Sequence, residues 1–290
     1  MRERDGVTGR ERAPRTSGAT VIELDVRDDG VGVLTLNGPP LNLITREATR
    51  QLLEATARVA EDPRVRVLVI TGAGDRAFCA GADVTEFADV RAEVVERKLR
   101  RENEAMTAIE GLPIPTIAAI GGVCLGGGAE LALACDLRVA DAGAVIGFPE
   151  VGLGVFPGSG GVFRLPRVVG LGRALDLLYS GRRISADEAL RIGLVTEVTA
   201  PGAALQRALE RGAALASGPA LALRLIKSGA RDSLTQTTAQ AVDASLADSA
   251  RVFTGPDIEE GLAAFAQKRP PRFTAPREIE ARPAKEEGLS

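Results

Sequence analysis

Two glutamates occupy places where carboxylates call for a reason. Glu130 is the one charged residue between Leu112 and Cys135, and it follows Gly126-Gly127-Gly128 at the start of a helical pattern over 128–134. Glycines at a helix mouth leave backbone N–H groups accessible along the positive end of the helix dipole. Such a site suits a carbonyl oxygen that becomes negative during reaction, an oxyanion hole. Glu130 reads either as a capping carboxylate on a glycine-packed helix or as a catalytic group, and glycine packing alone does not demand an acid in so apolar a run. Glu150 lies in FPEVGLGVFPGSGG (148–161), where Pro149 and the glycines make a rigid, irregular segment able to present it into a cavity. Alone it would read as a surface-loop glutamate. Beside one oxyanion site, the two supply an acid and a base, provided their surroundings separate their pKa values.

The composition leaves this work to carboxylates. The 290 residues contain no histidine, one tyrosine and four lysines. Ser-His-Asp and Cys-His nucleophilic machinery is excluded, as are metal sites built on imidazole. With 36 Lys plus Arg against 39 Asp plus Glu, a net charge of -3 and 3% aromatics, there is neither the electrostatic footprint nor the stacking platform of a nucleic-acid binder. Cys79, Cys124 and Cys135 are odd in number and lack C-x-x-C spacing, so reduced thiols in an intracellular, cytoplasmic protein are expected, with no metal site. The opening MRERDGVTGRERAPRTSG has no apolar core and carries Glu3, Asp5 and Glu11, unlike a secretory or transit peptide. Residues 1–18 and 276–290 read as disordered tails.

The elements that must position the two acids alternate. TVIELDV (20–26) and VGVLTLN (31–37) flank Asp28-Asp29-Gly30 as a hairpin. Thr45 fits a helix N-cap before Ala48, Leu52, Ala55 and Val59, and Pro63 marks the stop. VRVLVITG (65–72) reads as a buried strand, 84–109 as a charged helical segment, 115–122 as a strand and 135–140 as another. The apolar run from Leu112 to Cys135 has the length of a membrane span, but Pro113, Pro115 and five glycines make it a buried strand, a glycine loop and a buried helix. Behind Gly170 the pattern turns helical, with a capping box at Ser185–Glu188 and helical periods over 202–216, 219–230, 235–252 and from Pro256 to before Pro270. An α/β core over 19–200 and a helical region over 201–275 follow.

Two glycine-rich segments fail as nucleotide sites. Gly72-x-Gly74-x-x-Ala77 follows a strand but opens no helix, and GVFPGSGG (154–161) lacks the Gly-Lys-Ser/Thr ending of a P-loop. Four blocks in order, TGAGDRAFCAGAD (71–83), PTIAAIGGVCLGGGAELALACDLRVAD (115–141), GFPEVGLGVFPGSGG (147–161) and LYSGRRISADEALRIGLV (178–195), resemble the crotonase (enoyl-CoA hydratase/isomerase) superfamily, and the resemblance spans about residues 20–273.

The resemblance implies a crotonase-like spiral of ββα units, a C-terminal helical trimerisation region and a homotrimer or dimer of trimers. It implies acyl-CoA as the small-molecule partner, with the thioester as substrate and no metal or redox cofactor. The backbone N–H groups of Ala82 and Gly127 would form the oxyanion hole, Glu130 would act as base on water, and Glu150 would supply the proton. Ala80, Ala82, Asp83 and Val84 would contribute to CoA binding, and Phe265 and Lys268 would approach CoA, from a neighbouring subunit. The implied reaction is reversible hydration of 2-enoyl-CoA to 3-hydroxyacyl-CoA. Its alternatives are double-bond isomerisation, using one acid, and acyl-CoA binding without catalysis. Three departures stand out: Thr85 where a basic residue is common, Gly38-Pro39-Pro40 in place of an Arg-Pro turn, and Phe148 before Pro-Glu, where it is expected to reshape the pocket near Glu150.

Overall fold

The structure, a computed structural model, describes residues 21–274 and Arg277; the tails expected over 1–18 and 276–290 lie outside these residues apart from Arg277. The hairpin forms as read. Strands β1 (Ile22–Val26) and β2 (Val31–Leu36) pair antiparallel, with Gly30 at φ +83° in the turn, a conformation that favours glycine. The Thr45 hydroxyl accepts from the Ala48 N–H at 3.0 Å and opens α1 (Arg46–Glu61), whose Leu52, Ala55 and Val59 face the core. Strand β3 (Val67–Gly72), almost wholly buried, then pairs parallel with β2.

From β3 onward one motif repeats. Each turn of the chain lays one strand in a large sheet and the next in a small one. β3 is followed by β4 (Ala77–Cys79), β5 (Thr116–Ile120) by β6 (Val123–Leu125), and β7 (Leu137–Asp141) by β8 (Val145–Gly147). β9 (Arg183–Ser185) and β10 (Glu197–Thr199) complete the small and large sheets respectively. Among the described residues the large sheet runs β1-β2-β3-β5-β7-β10 and the small one β4-β6-β8-β9. Successive turns stack in parallel register, so the expected spiral of ββα units is present. The short strands of the small sheet carry too few residues to show alternation in sequence, and this is why only the large-sheet strands were legible.

Helices fill the gaps between turns. The segment 84–109, read as one helical stretch, is broken into pieces. A 3₁₀ turn at Val84–Glu86 leads to α2 (Phe87–Val90), then a π-type turn at Val95–Leu99 leads to α3 (Arg100–Glu110). The π turn carries Lys98 into the interior. α4 (Gly127–Ala134) lies between β6 and β7, α5 (Gly161–Val169) and α6 (Leu171–Ser180) follow β8, and α7 (Ala186–Arg191) follows β9. The C-terminal helices are α8 (Ala204–Ala216), α9 (Ala220–Asp232), α10 (Thr238–Phe253) and α11 (Pro256–Gln267). α8 packs its small residues Ala204, Ala208 and Ala216 over Val31, Val67, Val69, Ile117 and Val139 of the large sheet. No helix among the described residues is long and apolar enough to cross a membrane.

Two polar devices tie the late helices to the spiral. Asp136 accepts from the Thr116 N–H at 2.8 Å, from Lys227 at 2.9 Å and from Arg231 at 2.8 Å, and Arg231 also pairs with Glu110. Arg277 departs from the expectation of a tail. Its guanidinium is buried and donates to the carbonyls of Val59 at 3.1 Å and Ala60 at 2.6 Å, which the end of α1 leaves without helical partners, and to the Val65 carbonyl at 2.8 Å in the loop that follows. Replacing Asp136 by Ala leaves the buried ammonium of Lys227 without its counter-charge. The expected loss is about 3–5 kcal/mol of stability, read as a lower urea midpoint at unchanged m-value.

Candidate active site

Three glycines bring the parts together. Gly126 has φ +52° and ψ −126°, and a Cβ there would stand 3.2 Å from Glu150 Oε1. A Cβ on Gly128 would stand 2.2 Å from the Cys79 carbonyl oxygen, closer than real Cβ atoms approach backbone. Only glycine therefore lets the N-terminus of α4 descend onto the loop after β4. That loop is pinned from the other side: the Ile44 N–H donates to the Gly81 carbonyl at 2.9 Å, and the Asp83 N–H donates to the Ile44 carbonyl at 3.1 Å. In such a parallel bridge the intervening residue points its backbone away, so the Ala82 N–H faces opposite to Ile44. The Ala82 nitrogen lies 3.6 Å from where a Cβ of Gly127 would be. Gly127 opens α4, so its own N–H belongs to the first turn, where no helical carbonyl precedes it.

A cavity of about 430 Å³ opens beside this amide pair. Its apolar wall includes Phe87, Val94, Leu99, Met106, Leu153 and Phe156, and both Glu130 and Glu150 line it. Glu130 is 3% exposed, and its Oε1 accepts from the N–H groups of Ser159 at 2.9 Å and Gly161 at 2.8 Å. Burial pushes its carboxyl up to about 8; the charges of Glu150 and Glu102 add to this, and the two N–H bonds oppose it. Glu150 is half-buried on the Pro149–Leu153 turn, its carboxyl also raised by desolvation. Neither of its oxygens accepts a hydrogen bond from the described residues. The Gly126–Gly127 peptide thus has one acid on each side, Glu150 Oε1 near Gly126 and Glu130 Oε2 about 4.0 Å from the Cβ position of Gly127. The arrangement can hold a small polar molecule between two carboxyls, next to two amides able to bind one oxygen.

The expected residues do not all meet here. Ala80, Ala82 and Val84 line the cavity, whereas Asp83 is absent from its wall and instead accepts from Thr85 N at 3.0 Å and Thr85 Oγ1 at 2.6 Å. Phe148 does not reshape the pocket: it is 1% exposed within the main apolar cluster and absent from the cavity wall. Phe265 and Lys268 lie at the end of α11 and do not line the cavity within one chain; Phe265 is 86% exposed. Sequence reading missed Ser159, Gly161, Lys98 and Glu102. The signal for the first two was GVFPGSGG, a glycine-rich loop that cradles a carboxylate rather than a phosphate. Lys98 and Glu102 had no such signal, since their spacing is that of any solvent-facing helix pair.

The profile of the family described as enoyl-CoA hydratase/isomerase matches residues 27–276. The chain is 38% identical to a crotonyl-CoA hydratase of Syntrophomonas wolfei, over 85% of this chain and 95% of that protein. It is 34% identical to a short-chain-enoyl-CoA hydratase of Clostridium acetobutylicum, over 84% and 94%. A crystal structure of an enoyl-CoA hydratase from Bacillus anthracis is similar with a TM-score of 0.84 and 37% identity, covering 88% of this chain and 99% of that one. Fold and sequence together define a crotonase-fold enzyme. The chain belongs to the enoyl-CoA hydratase/isomerase family.

The raised carboxyl of Glu130 has a consequence for stability. From the ordinary value of 4.5 up to about 8 the folded chain keeps a proton that the unfolded chain has released, so stability from this group falls as pH rises across that window. Glu130→Gln accepts the same two N–H bonds and cannot ionise. Thermal melts should show little gain for this variant at about pH 4 and a clear gain at about pH 9, the reverse of what a stabilising ion pair would give.

Proposed function

We propose that this enzyme adds water reversibly across the double bond of 2-enoyl-CoA thioesters to give 3-hydroxyacyl-CoA. The observation that carries the reading is the pair of carboxyls, both raised by desolvation, on either side of the Gly126–Gly127 peptide, with the Ala82 amide beside it. In this reading the N–H groups of Ala82 and Gly127 donate to the thioester oxygen and stabilise the enolate that develops on it. Glu130 takes a proton from water as the oxygen bonds to Cβ, the π electrons move toward the thioester, and Glu150 gives its proton to Cα. The pair ends with its proton on the other carboxyl, and exchange with solvent resets it. Charge is balanced by two acids and two amides, and no step calls for a metal or a redox cofactor.

Isomerisation uses one acid to carry a proton between carbons. Glu150 supports hydration over it, since its two oxygens are buried at the cavity and make no bond to the described residues, as suits an acid that must share water with Glu130. A module that only binds acyl-CoA has no use for two acids whose carboxyls burial raises above their ordinary value.

We further propose a homotrimer or dimer of trimers. The exposed Ile226, Leu246, Phe253, Leu262 and Phe265 of α9, α10 and α11 give this region the apolar surface of an assembly face. In such an assembly Phe265 and Lys268 would reach the CoA of a neighbouring chain. The three cysteines are buried free thiols, in keeping with a reducing compartment, and we place the enzyme in the cytoplasm.

With crotonyl-CoA the purified protein should form 3-hydroxybutyryl-CoA, and double-bond migration of a 3-enoyl-CoA without any hydration would sink the reading. Glu130→Gln and Glu150→Gln should each lower hydration by at least ~100-fold. The pair works with one proton between its members, so kcat/KM should be bell-shaped. Its alkaline limb should fall near 8, where the pair gives up its last proton, and its acidic limb above the ordinary carboxylate value.

A further inference from the structure

The cavity wall contains a buried ion pair that water addition, as described, does not use. Lys98 is 2% and Glu102 is 5% exposed, and the Lys98 ammonium stands 3.0 Å from Glu102 and 3.0 Å from Glu86. Apolar side chains of similar volume fill such a place without the desolvation penalty, so the charges call for another reason. The other oxygen of Glu102 supplies it. Glu102 Oε2 accepts from Ser159 Oγ at 2.6 Å, and Ser159 is the residue whose N–H donates to Glu130. One position further along α3, Asn103 Nδ2 donates to the Gly158 carbonyl at 2.8 Å. The Gly158 carbonyl and the Ser159 N–H belong to one peptide unit. α3 therefore grips that unit by its oxygen and by the adjoining hydroxyl, while its N–H is fixed on Glu130.

Resting on the hydratase reading above, we propose that Glu102, balanced by Lys98, is a positioning residue that holds the Ser159 amide on Glu130 and strengthens Glu130 as the base toward water. Glu130 is faced by Glu150 from the Pro149–Leu153 turn and by Glu102 from α3, with Lys98 behind Glu102. Arg164 of α5 reaches the same loop, donating to the Ser159 carbonyl at 3.2 Å while paired with Glu110. Cys79 of β4 lies under Gly128 as a neutral thiol, its pKa pushed up to about 12 by burial. Of the carboxylates facing Glu130, Glu102 is the one joined to it through a single residue, and its negative charge favours the protonated form of Glu130. Lys98 stands behind Glu102 as its counter-charge, 3.0 Å away.

The test compares wild type, Glu102→Gln and the double variant Lys98→Met/Glu102→Gln. Two readouts are taken: the pH profile of crotonyl-CoA hydration, and the carboxyl titration of Glu130 by NMR on glutamate-labelled protein, assigned with Glu130→Gln. Gln at 102 can still accept the Ser159 hydroxyl, so the fold is kept and the charge alone is lost. The Glu130 midpoint and the alkaline limb should both move down by about one pH unit in Glu102→Gln. Adding Lys98→Met removes the opposing positive charge and should return the midpoint part of the way, an order that a purely structural role does not produce. An unmoved midpoint in Glu102→Gln overturns the proposal. Should wild type show no hydration, the hydratase reading fails, and the NMR titration still decides whether Glu102 acts on Glu130. If circular dichroism shows Glu102→Gln to be unfolded, Ser159→Ala takes its place. A fall of about tenfold in kcat with KM within about twofold upholds the positioning role, and an unchanged kcat overturns it.

Discussion

The close approach of α4 to the loop after β4 is the constraint on which the site depends. Gly128 meets the Cys79 carbonyl with no room for a methyl group, and Gly126 turns the chain through a backbone shape that a side chain would resist. From that single contact follow the facing of Gly127 and Ala82, the placement of Glu130 in the first helical turn, and the seat of Glu150 against Gly126. The spiral supplies rigidity for this: parallel strands from successive turns hold β4 and β6 side by side, so the loops that follow them cannot drift apart.

Burying two acids in one cavity is unfavourable, and the structure shows how the cost is contained. Glu130 receives two backbone N–H groups from the loop before α5, which moderate the effect of desolvation without removing it. Glu150 receives none, and its two oxygens are buried at the cavity without a partner among the described residues. The two environments differ in kind, one a fixed cradle and the other an open wall. Chemically similar groups thereby sit in unlike surroundings. The π turn at Val95–Leu99 adds a buried ammonium close by, so the acidic cluster of Glu86, Glu102 and Glu130 does not stand without a counter-charge.

Much of this was legible in the chain because it rests on local signals. Glycines beside an isolated acid, a Pro-Glu turn, the Thr45 cap and the Asp-Gly hairpin each speak through a few neighbouring residues, and the structure places them as read. What escaped depends on distant partners. Ser159 and Glu130 are 29 positions apart, and Glu102 and Ser159 57, so neither spacing nor periodicity could join them. Phe148 was misjudged for the same reason: adjacency to Glu150 in sequence says nothing about which way a side chain turns, and in this strand-to-turn passage Phe148 goes to the core while Pro149 and Glu150 line the cavity. Phe265 and Lys268 stay outside the cavity of their own chain, and no local pattern could have settled that.

The clasp of Arg277 on the end of α1 has a meaning for how the protein comes into being. Its contact with the Val59 carbonyl spans 218 positions, so those carbonyls at the end of α1 gain this protein partner only after that length of chain has followed. During synthesis α1 must emerge, pack and remain hydrated at its end while some two hundred residues follow. A closure of such range carries a large loop entropy and comes late in folding. The last turn of the first long helix is therefore the natural place for a nascent chain of this protein to fray until Arg277 has been made.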